Sequence, residues 1–391
     1  MRPLRSAYVL SPEQLRSTST VRTPLQTELQ SLARRHAQRP ERLLPAGKPV
    51  WIFGAGQFGR DLCAALQRAG HHVAGFVETR SGAAEVQGLP LINWQQWSPE
   101  HHASPLCIGI FNRGMPLDEL EALAHRNGAS QVFLPWDLYH LLRQELGWRF
   151  WLSEPECILS QLQLLERAMD CLDDDSSKRC MLDIAAFRLG LNTAYGSFQH
   201  AENQYFNPLT LQGLQGKPVR YVDGGAYNGD TFLELCSLTD ISAAYLFEPD
   251  ADNYAQLVSN IGQRAGHVQC LPLGLSDHYG VLSFNAGMGE GASITQNGAS
   301  HIAVAALDTV LAGHTVDFIK LDVEGAELQA LQGATHLVQR SRPVLALSLY
   351  HRPQDLWELP LALADMCENY RLSIRQHFAN SFDSVLYAVP R

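Results

Sequence analysis

The sequence predicts an α/β fold with two mainly parallel sheets, a small one near the N-terminus and a large one that closes in an antiparallel hairpin. Three observations carry this. Short apolar runs alternate with helical stretches over residues 47–145 and again from Lys217, the rhythm of parallel sheets. Each unit opens with a glycine-rich loop placed between a strand and a helix: Gly54-Ala-Gly-Gln-Phe-Gly59 and Asp223-Gly-Gly-Ala-Tyr-Asn-Gly229. The last two strand-like segments, Arg371–His377 and Ser384–Val389, are joined by too few residues for a parallel crossover, which needs about a dozen.

Taken in order, residues 1–46 are polar, arginine-rich and broken by five prolines, and Leu25, Leu29 and Leu32 predict one short helix in a solvated leader. Residues 47–145 form a small Rossmann-like domain. Its strands are Val50–Phe53, Val73–Val77, Leu106–Phe111 and Val132–Leu134, with helices over Leu62–Ala69 and Leu117–His125. Residues 146–215 read as a helical connector or cap. One stripe runs through Leu159, Leu162, Leu165 and Met169, another through Leu182, Ala185, Ala186 and Leu189. Between them Asp173-Asp-Asp-Ser reads as an acidic helix N-terminus in preference to a metal site. Residues 216–391 hold the large sheet, with strands Val219–Val222, Ala243–Phe247, Val268–Pro272, Val316–Leu321 and Val344–Leu349 ahead of the hairpin.

Composition bounds the function. With 46% hydrophobic and 18% charged residues, the 391-residue chain can bury sizeable cores. A net charge of −10 argues against a nucleic-acid partner. The eight cysteines are scattered with no CxxC, as expected of reduced thiols in the cytoplasm. No run approaches the ~18 apolar residues of a membrane span, and no apolar leader marks a secretory signal. Self-association into a homo-oligomer stays open.

The two glycine loops make different claims. Gly54, Gly56 and Gly59 complete a GxGxxG, and Glu78 ends the next strand where an acid can meet ribose hydroxyls. Read alone, this predicts an NAD(P)-dependent oxidoreductase. Against it, strand-turn-helix packing favours small residues there in any case, the unit is short, and no hydride-transfer site is legible. A further reading makes this domain a non-catalytic module that recruits a glycan-assembly partner.

The second loop has acidic company. Asp223, Asp230 and Glu248 would repel a phosphate and favour a cationic ligand, such as a sulfonium with an amino-acid tail. Glu248, at a strand end, can accept from both ribose hydroxyls of an adenosine. The expected pocket also takes in Gly224, Gly225, Ala226, Asn228, Thr231 and Pro249, with Ser276 and Asp277 after the third strand. Asp322 and Glu324 are two apart and share a face of extended backbone, near the reacting group. Glu327 reads as a helix start. His351, where the fifth strand exits, is placed as a general base. Alternatively, Asp322, Glu324 and His351 hold a divalent cation.

In order and spacing, the segments Asp174-Asp-Ser, Gln204-Tyr-Phe, Val222-Asp-Gly-Gly-Ala and Phe247-Glu-Pro-Asp resemble the FkbM family of methyltransferases. So do Ile319-Lys-Leu-Asp-Val-Glu-Gly-Ala-Glu, Ser348-Leu-Tyr-His and Val385-Leu-Tyr-Ala. The resemblance runs from about Asp173 to the C-terminus. It implies a class I methyltransferase fold, S-adenosylmethionine as cofactor, and O-methylation of a sugar, glycan or secondary metabolite. By motif it carries cofactor binding onto Asp223, Gly225, Glu248 and Asp322. The loop departs mildly from the family pattern by one additional glycine. N-methylation of bases is disfavoured, because its Asn/Asp-Pro-Pro-aromatic element is replaced here by Asp322-Val-Glu-Gly.

Overall fold

The computed structural model describes residues 23–80, 82–262, 267–285, 293–294 and 300–391. Val50-Trp-Ile-Phe is apolar throughout and forms β1 (Val50–Phe53), a central strand buried on both faces. Around it lie β2 (Val73–Glu78), β3 (Glu85–Val86), β4 (Leu89–Asn93), β5 (Pro105–Ile108) and β6 (Gln131–Phe133). Their order is β3-β4-β2-β1-β5-β6, parallel except for the short β3. β5 stops at Ile108, short of the expected Phe111, because Gly109 turns against the Gly54 loop: a Cβ there would stand 2.8 Å from the Gly54 carbonyl.

The helix expected in the leader is present over Pro24–Ala37. Thr23 caps it, reciprocated by Gln26, and Pro24 fills the first turn. It is a docked element and not a solvated one. Leu29 and Leu32 are fully buried, while Gln26 and Gln30 reach Asp170 and Glu166 on the connector. The remaining expectation for the leader, over residues 1–22, lies outside the described residues. In the connector, helix Asp175–Arg188 is capped by Asp174, whose Oδ1 accepts from the Ser177 amide at 2.7 Å. Asp173 and Asp174 also accept from the Leu372 amide and the Ser373 hydroxyl, so the acidic run fastens the connector to the large sheet.

The large sheet comprises β7 (Val219–Gly224), β8 (Ile241–Phe247), β9 (Val268–Leu271), β14 (Phe318–Leu321), β15 (Val344–Ser348), β16 (Tyr370–Gln376) and β17 (Ser384–Pro390). The order is β16-β17-β15-β14-β7-β8-β9, and β17 alone runs antiparallel to its neighbours. This is a class I methyltransferase sheet. Successive residues of β7 face opposite sides: Val222 joins a core continuous with the small sheet and connector, and Tyr221 joins a second core with Phe206, Phe232 and Phe318.

Between β9 and β14 the chain forms a further small sheet from β10 (Gly274–Leu275), β11 (Gly280–Asn285), β12 (Ser293–Ile294) and β13 (Ser300–Ala305). The two main sheets meet at the loop between β16 and β17. Asn380 Nδ2 donates to the carbonyls of Asn112 and Met115, both at 2.7 Å, and Oδ1 accepts from the Leu117 amide at 2.9 Å. Among the described residues no helix is long and apolar enough to cross a membrane.

Candidate active site at the strand ends of the large sheet

Strand order reverses between β7 and β14, and at their carboxyl ends the sheet opens into a cavity, the usual ligand position in such folds. The loop after β7 forms one wall. Gly225 adopts φ 78°, and a Cβ there would stand 1.9 Å from the Asp322 carbonyl oxygen, so glycine is required for the loop to lie on β14. The Gly225 and Ala226 amides donate to the Phe247 carbonyl at 3.0 and 2.9 Å. Tyr227, at φ 49°, donates its amide to Glu248 Oε2 at 2.9 Å, and Glu248 Oε1 accepts from the Asp250 amide at 2.9 Å. Glu248 is thereby fixed on the cavity wall, largely buried. Burial pushes its carboxyl up, against the pull of those two backbone donors.

Asp223 lies elsewhere than the sequence suggested. It is fully buried behind the loop, its Oδ1 2.9 Å from Lys320 Nζ and its Oδ2 accepting from the Tyr221 hydroxyl at 3.0 Å. Lys320 also donates to the Gly225 carbonyl at 2.7 Å. Burial disfavours the ammonium, but Asp223 and Asp322 outweigh it and hold Lys320 above its ordinary value. The direct contact expected between Asp223 and a ligand ammonium is therefore corrected: its charge is spent on Lys320, and the pair stiffens the glycine loop from below.

Asp322 follows β14. Its Oδ1 accepts from Ser348 Oγ at 2.8 Å, and its Oδ2 from the Tyr205 hydroxyl at 2.8 Å. Burial raises the carboxyl, yet Lys320, His351 and these hydroxyls together hold it below the usual range. Glu324, at φ 54°, joins it on the cavity wall. Behind both stands His351, fully buried. Its Nδ1 is 2.7 Å from Glu327 Oε1, and its Nε2 is 3.4 Å from Asp322 Oδ1 and 3.5 Å from Glu324 Oε2. Glu327 also accepts from the Val323 and Gly325 amides, so it braces the turn as well as starting a helix.

Burial lowers an imidazole, but Glu327, Glu324 and Asp322 outweigh it and hold His351 well above its usual value. This corrects the general-base role. His351 is fully buried and does not line the cavity, so it has no direct access to an acceptor hydroxyl.

Of the residues expected in the pocket, the cavity is lined by Gly225, Asp230, Thr231, Glu248, Pro249, Asp322 and Glu324. Gly224, Ala226 and Asn228 are not part of the lining, and Asn228 Oδ1 accepts from the Asp230 amide at 3.1 Å. Ser276 and Asp277 bond to each other, Asp277 also to His278, and the preceding Leu273–Leu275 lines the cavity in their place. The structure adds Tyr205, Tyr227, Asn253, Lys320, Tyr350 and Asp383, together with Arg113 from the small domain. Tyr205 and Tyr350 lie within recognised motifs, but their contact with Asp322 depends on chain folding. Asp383 is 2% exposed at φ 52°, with Oδ1 accepting from Gln204 at 2.9 Å and Oδ2 3.8 Å from Arg113. Burial and then Asp322 raise its carboxyl to about 6, against Arg113 and Gln204.

Residues 223–377 match the family model described as the methyltransferase FkbM domain. This part of the chain is similar to FkbM methyltransferase domains. Across 93% of this chain and 99% of the other, it is also similar to the crystal structure of methyltransferase FkbM from Methylobacillus flagellatus KT, at 20% identity and a TM-score of 0.74. The shared fold thus extends beyond the FkbM domain into the N-terminal half. A putative methyltransferase from Streptococcus mutans in complex with SAH matches 47% of this chain and 98% of its own, at 11% identity and a TM-score of 0.30, a likeness too slight to carry an argument. No curated protein matches the chain. Tyr205, Asp383 and Arg113 lie outside the FkbM domain match yet share its cavity.

The loop of the small domain has a different structure. Glu78 Oε1 accepts from the Ala55 amide at 2.6 Å, and Arg60 donates to the Ala55 carbonyl at 2.9 Å. A Cβ on Gly59 would stand 1.9 Å from the Gly54 carbonyl, and one on Gly54 would stand 2.3 Å from Ile110. Packing accounts for these two glycines, and the acid expected to meet a ribose is bonded to its own loop.

Proposed function

We propose that the protein is an S-adenosylmethionine-dependent O-methyltransferase acting on a hydroxyl of a sugar, glycan or secondary metabolite. One observation carries the cofactor assignment. The cavity is lined by five carboxylates, Asp230, Glu248, Asp322, Glu324 and Asp383, against two cationic side chains, Lys320, paired with Asp223, and Arg113, 3.8 Å from Asp383. That field favours a sulfonium and an ammonium and disfavours a pyrophosphate. Glu248 would take the ribose hydroxyls, and the Gly225–Tyr227 backbone would let the amino-acid tail approach closely.

The acceptor hydroxyl would enter on the side of Asp322, Glu324 and Tyr350. Its oxygen attacks the methyl carbon in line, the carbon–sulfur bond breaks with its electron pair going to sulfur, and the hydroxyl proton leaves to a base. Asp383 takes that role in our reading, because Oδ2 is buried on the cavity wall with no hydrogen bond among the described residues. His351 acts through Asp322 and Glu324, as a positioning residue. Proximity and exclusion of water supply most of the rate. The small domain contributes Arg113 and the anchorage of the Asp383 loop, which makes it part of the acceptor end and not a redox unit.

Calorimetric titration with S-adenosylmethionine tests the reading. Wild type is expected to bind one equivalent, Glu248→Gln to bind about ten-fold more weakly through loss of charge-assisted hydrogen bonds, and Gly225→Ala not at all. Wild-type affinity in folded Glu248→Gln, or stoichiometric NADH binding in place of S-adenosylmethionine, would overturn it.

A further inference from the structure

A second cavity, of about 510 Å³, adjoins the cofactor cavity and has no part in the steps derived above. Pockets for small ligands span roughly 300–1,000 Å³. One wall is the end of helix Pro135–Leu146 and the segment that follows it, with Arg143, Trp148 and Phe150. The other is formed by the turns after β14 and β15, with Glu324 and Arg352. Glu324 lines both cavities. An aromatic run joins them as well: Trp148 packs on Phe150 with ring centroids 4.8 Å apart, and Phe150 on Tyr350 of the cofactor cavity at 6.4 Å. Two features of that run are unfavourable for the fold alone. Phe150 takes φ 53°, a conformation that is an outlier for a bulky side chain and collects at binding sites. Trp148 is 40% exposed yet fixed in place, its Nε1 donating to the His351 carbonyl at 3.1 Å. A held, exposed aromatic face on a cavity wall is the signature of a ligand surface.

The charges around this face select the ligand. Arg143 is ion-paired with Glu154, and Arg352 with Glu358. An anion would have to displace those carboxylates, whereas a neutral ligand bearing hydroxyls can donate to them and accept from the arginines. Ser153 and Gln354 add uncharged polar groups to the lining. A sugar ring answers both demands, with a face of C–H groups that lies flat on an aromatic ring and an edge of hydroxyls. We propose that the second cavity binds a neutral sugar ring stacked on Trp148, next to the sugar whose hydroxyl is presented at Asp322 and Glu324. The acceptor is then a glycan of at least two residues and not a free monosaccharide. That use as an acceptor subsite rests on the methyltransferase reading; the binding of the sugar does not.

The test uses the full-length protein and saturation-transfer NMR with four neutral probes: maltotriose, cellotriose, mannotriose and N-acetylchitotriose. Binding of at least one is expected, with transfer strongest to the C–H face of one ring. Trp148→Ala is expected to weaken that binding by about ten-fold or more, the usual scale for truncating a tryptophan anchor. Trp148→Tyr, which keeps an aromatic face, is expected to restore most of it. Ser153→Phe fills the cavity without removing that face and is expected to abolish binding. Thermal melts report folding, and Ser153→Phe keeps the test decisive if Trp148→Ala does not fold. Failure of all four probes to bind wild type, or binding unchanged in either folded variant, overturns the site. S-adenosylhomocysteine is titrated into wild type by calorimetry. Saccharide binding without S-adenosylhomocysteine binding supports the cavity assignment while removing the methyltransferase reading, and the converse removes the sugar site alone.

Discussion

Lys320 and Asp223 stand on adjacent strands, β14 and β7, both buried and 2.9 Å apart, in a register that pairs them directly. Removing one partner of such a pair leaves a charge in a low dielectric and typically costs about 3–5 kcal/mol, whereas removing both costs far less. Lys320→Met is therefore expected to lower unfolding free energy by about 3–5 kcal/mol, and Lys320→Met with Asp223→Asn to recover most of it. Urea denaturation of the two variants and wild type measures the difference. The sequence made Asp223 legible as an acid at the end of a strand beside a glycine loop. It did not show which way the carboxylate points. The clue available was a lysine inside the apolar run Phe318-Ile-Lys-Leu, since a charge on a buried strand needs a partner on its neighbour. Asp383 offered no such clue, because its place on the cavity wall comes from a turn in which Asn380, Ser381 and Asp383 all take positive φ.

Asp317, immediately before β14, ties that strand to β7. Its Oδ2 accepts from the Arg220 amide at 2.9 Å and Nε at 2.7 Å, and its Oδ1 lies 2.6 Å from Lys217 Nζ. Burial alone would raise the Asp317 carboxyl, but these donors outweigh it and hold it well below the usual range. A depressed folded pKa contributes stability above the unfolded value, near 3.9, and that stability is lost as pH falls through the folded pKa. Asp317→Asn is accordingly expected to cost about 1 kcal/mol at neutral pH, because both cations are half-exposed. The cost is expected to shrink steadily below pH 4, and urea midpoints of variant and wild type from pH 7 to pH 3 measure it. At this scale most of the large sheet was readable, since seven apolar segments and one short final loop led to five parallel strands closed by an antiparallel hairpin, as observed, while the spatial order came from the structure. The side sheet of β10 to β13 was missed. Two of its four strands are two residues long, below the length at which alternation can be recognised. The signal that did exist was His301-Ile-Ala-Val, where Ile302 and Val304 are the buried positions.

The whole molecule is joined where no local pattern could reveal it. Asn380 bonds with residues 263 to 268 positions earlier, and Phe111 packs on Phe382 with ring centroids 5.2 Å apart. The glycine loop of the small domain drew attention to a nucleotide, whereas that domain's contact with the cavity comes through the segment after β5, where Arg113 stands. Asn380→Ala tests this coupling. It removes the acceptor of the Leu117 amide and the donor to two carbonyls, and it places alanine at φ 60°, a conformation asparagine tolerates better. Loss of the buried bonds alone is expected to cost about 2–3 kcal/mol. The cofactor wall at Gly225 and Glu248 belongs to the other end of the cavity and is held by its own bonds to Phe247, Tyr227 and Asp250. S-adenosylmethionine affinity is therefore expected to stay within two-fold of wild type, a limit of about 0.4 kcal/mol. Hydrogen exchange is expected to quicken together at residues 111–117 and 377–383. Faster exchange in only one of the two segments, or a loss of cofactor affinity as large as the loss of stability, would show that the domains are not coupled through this loop.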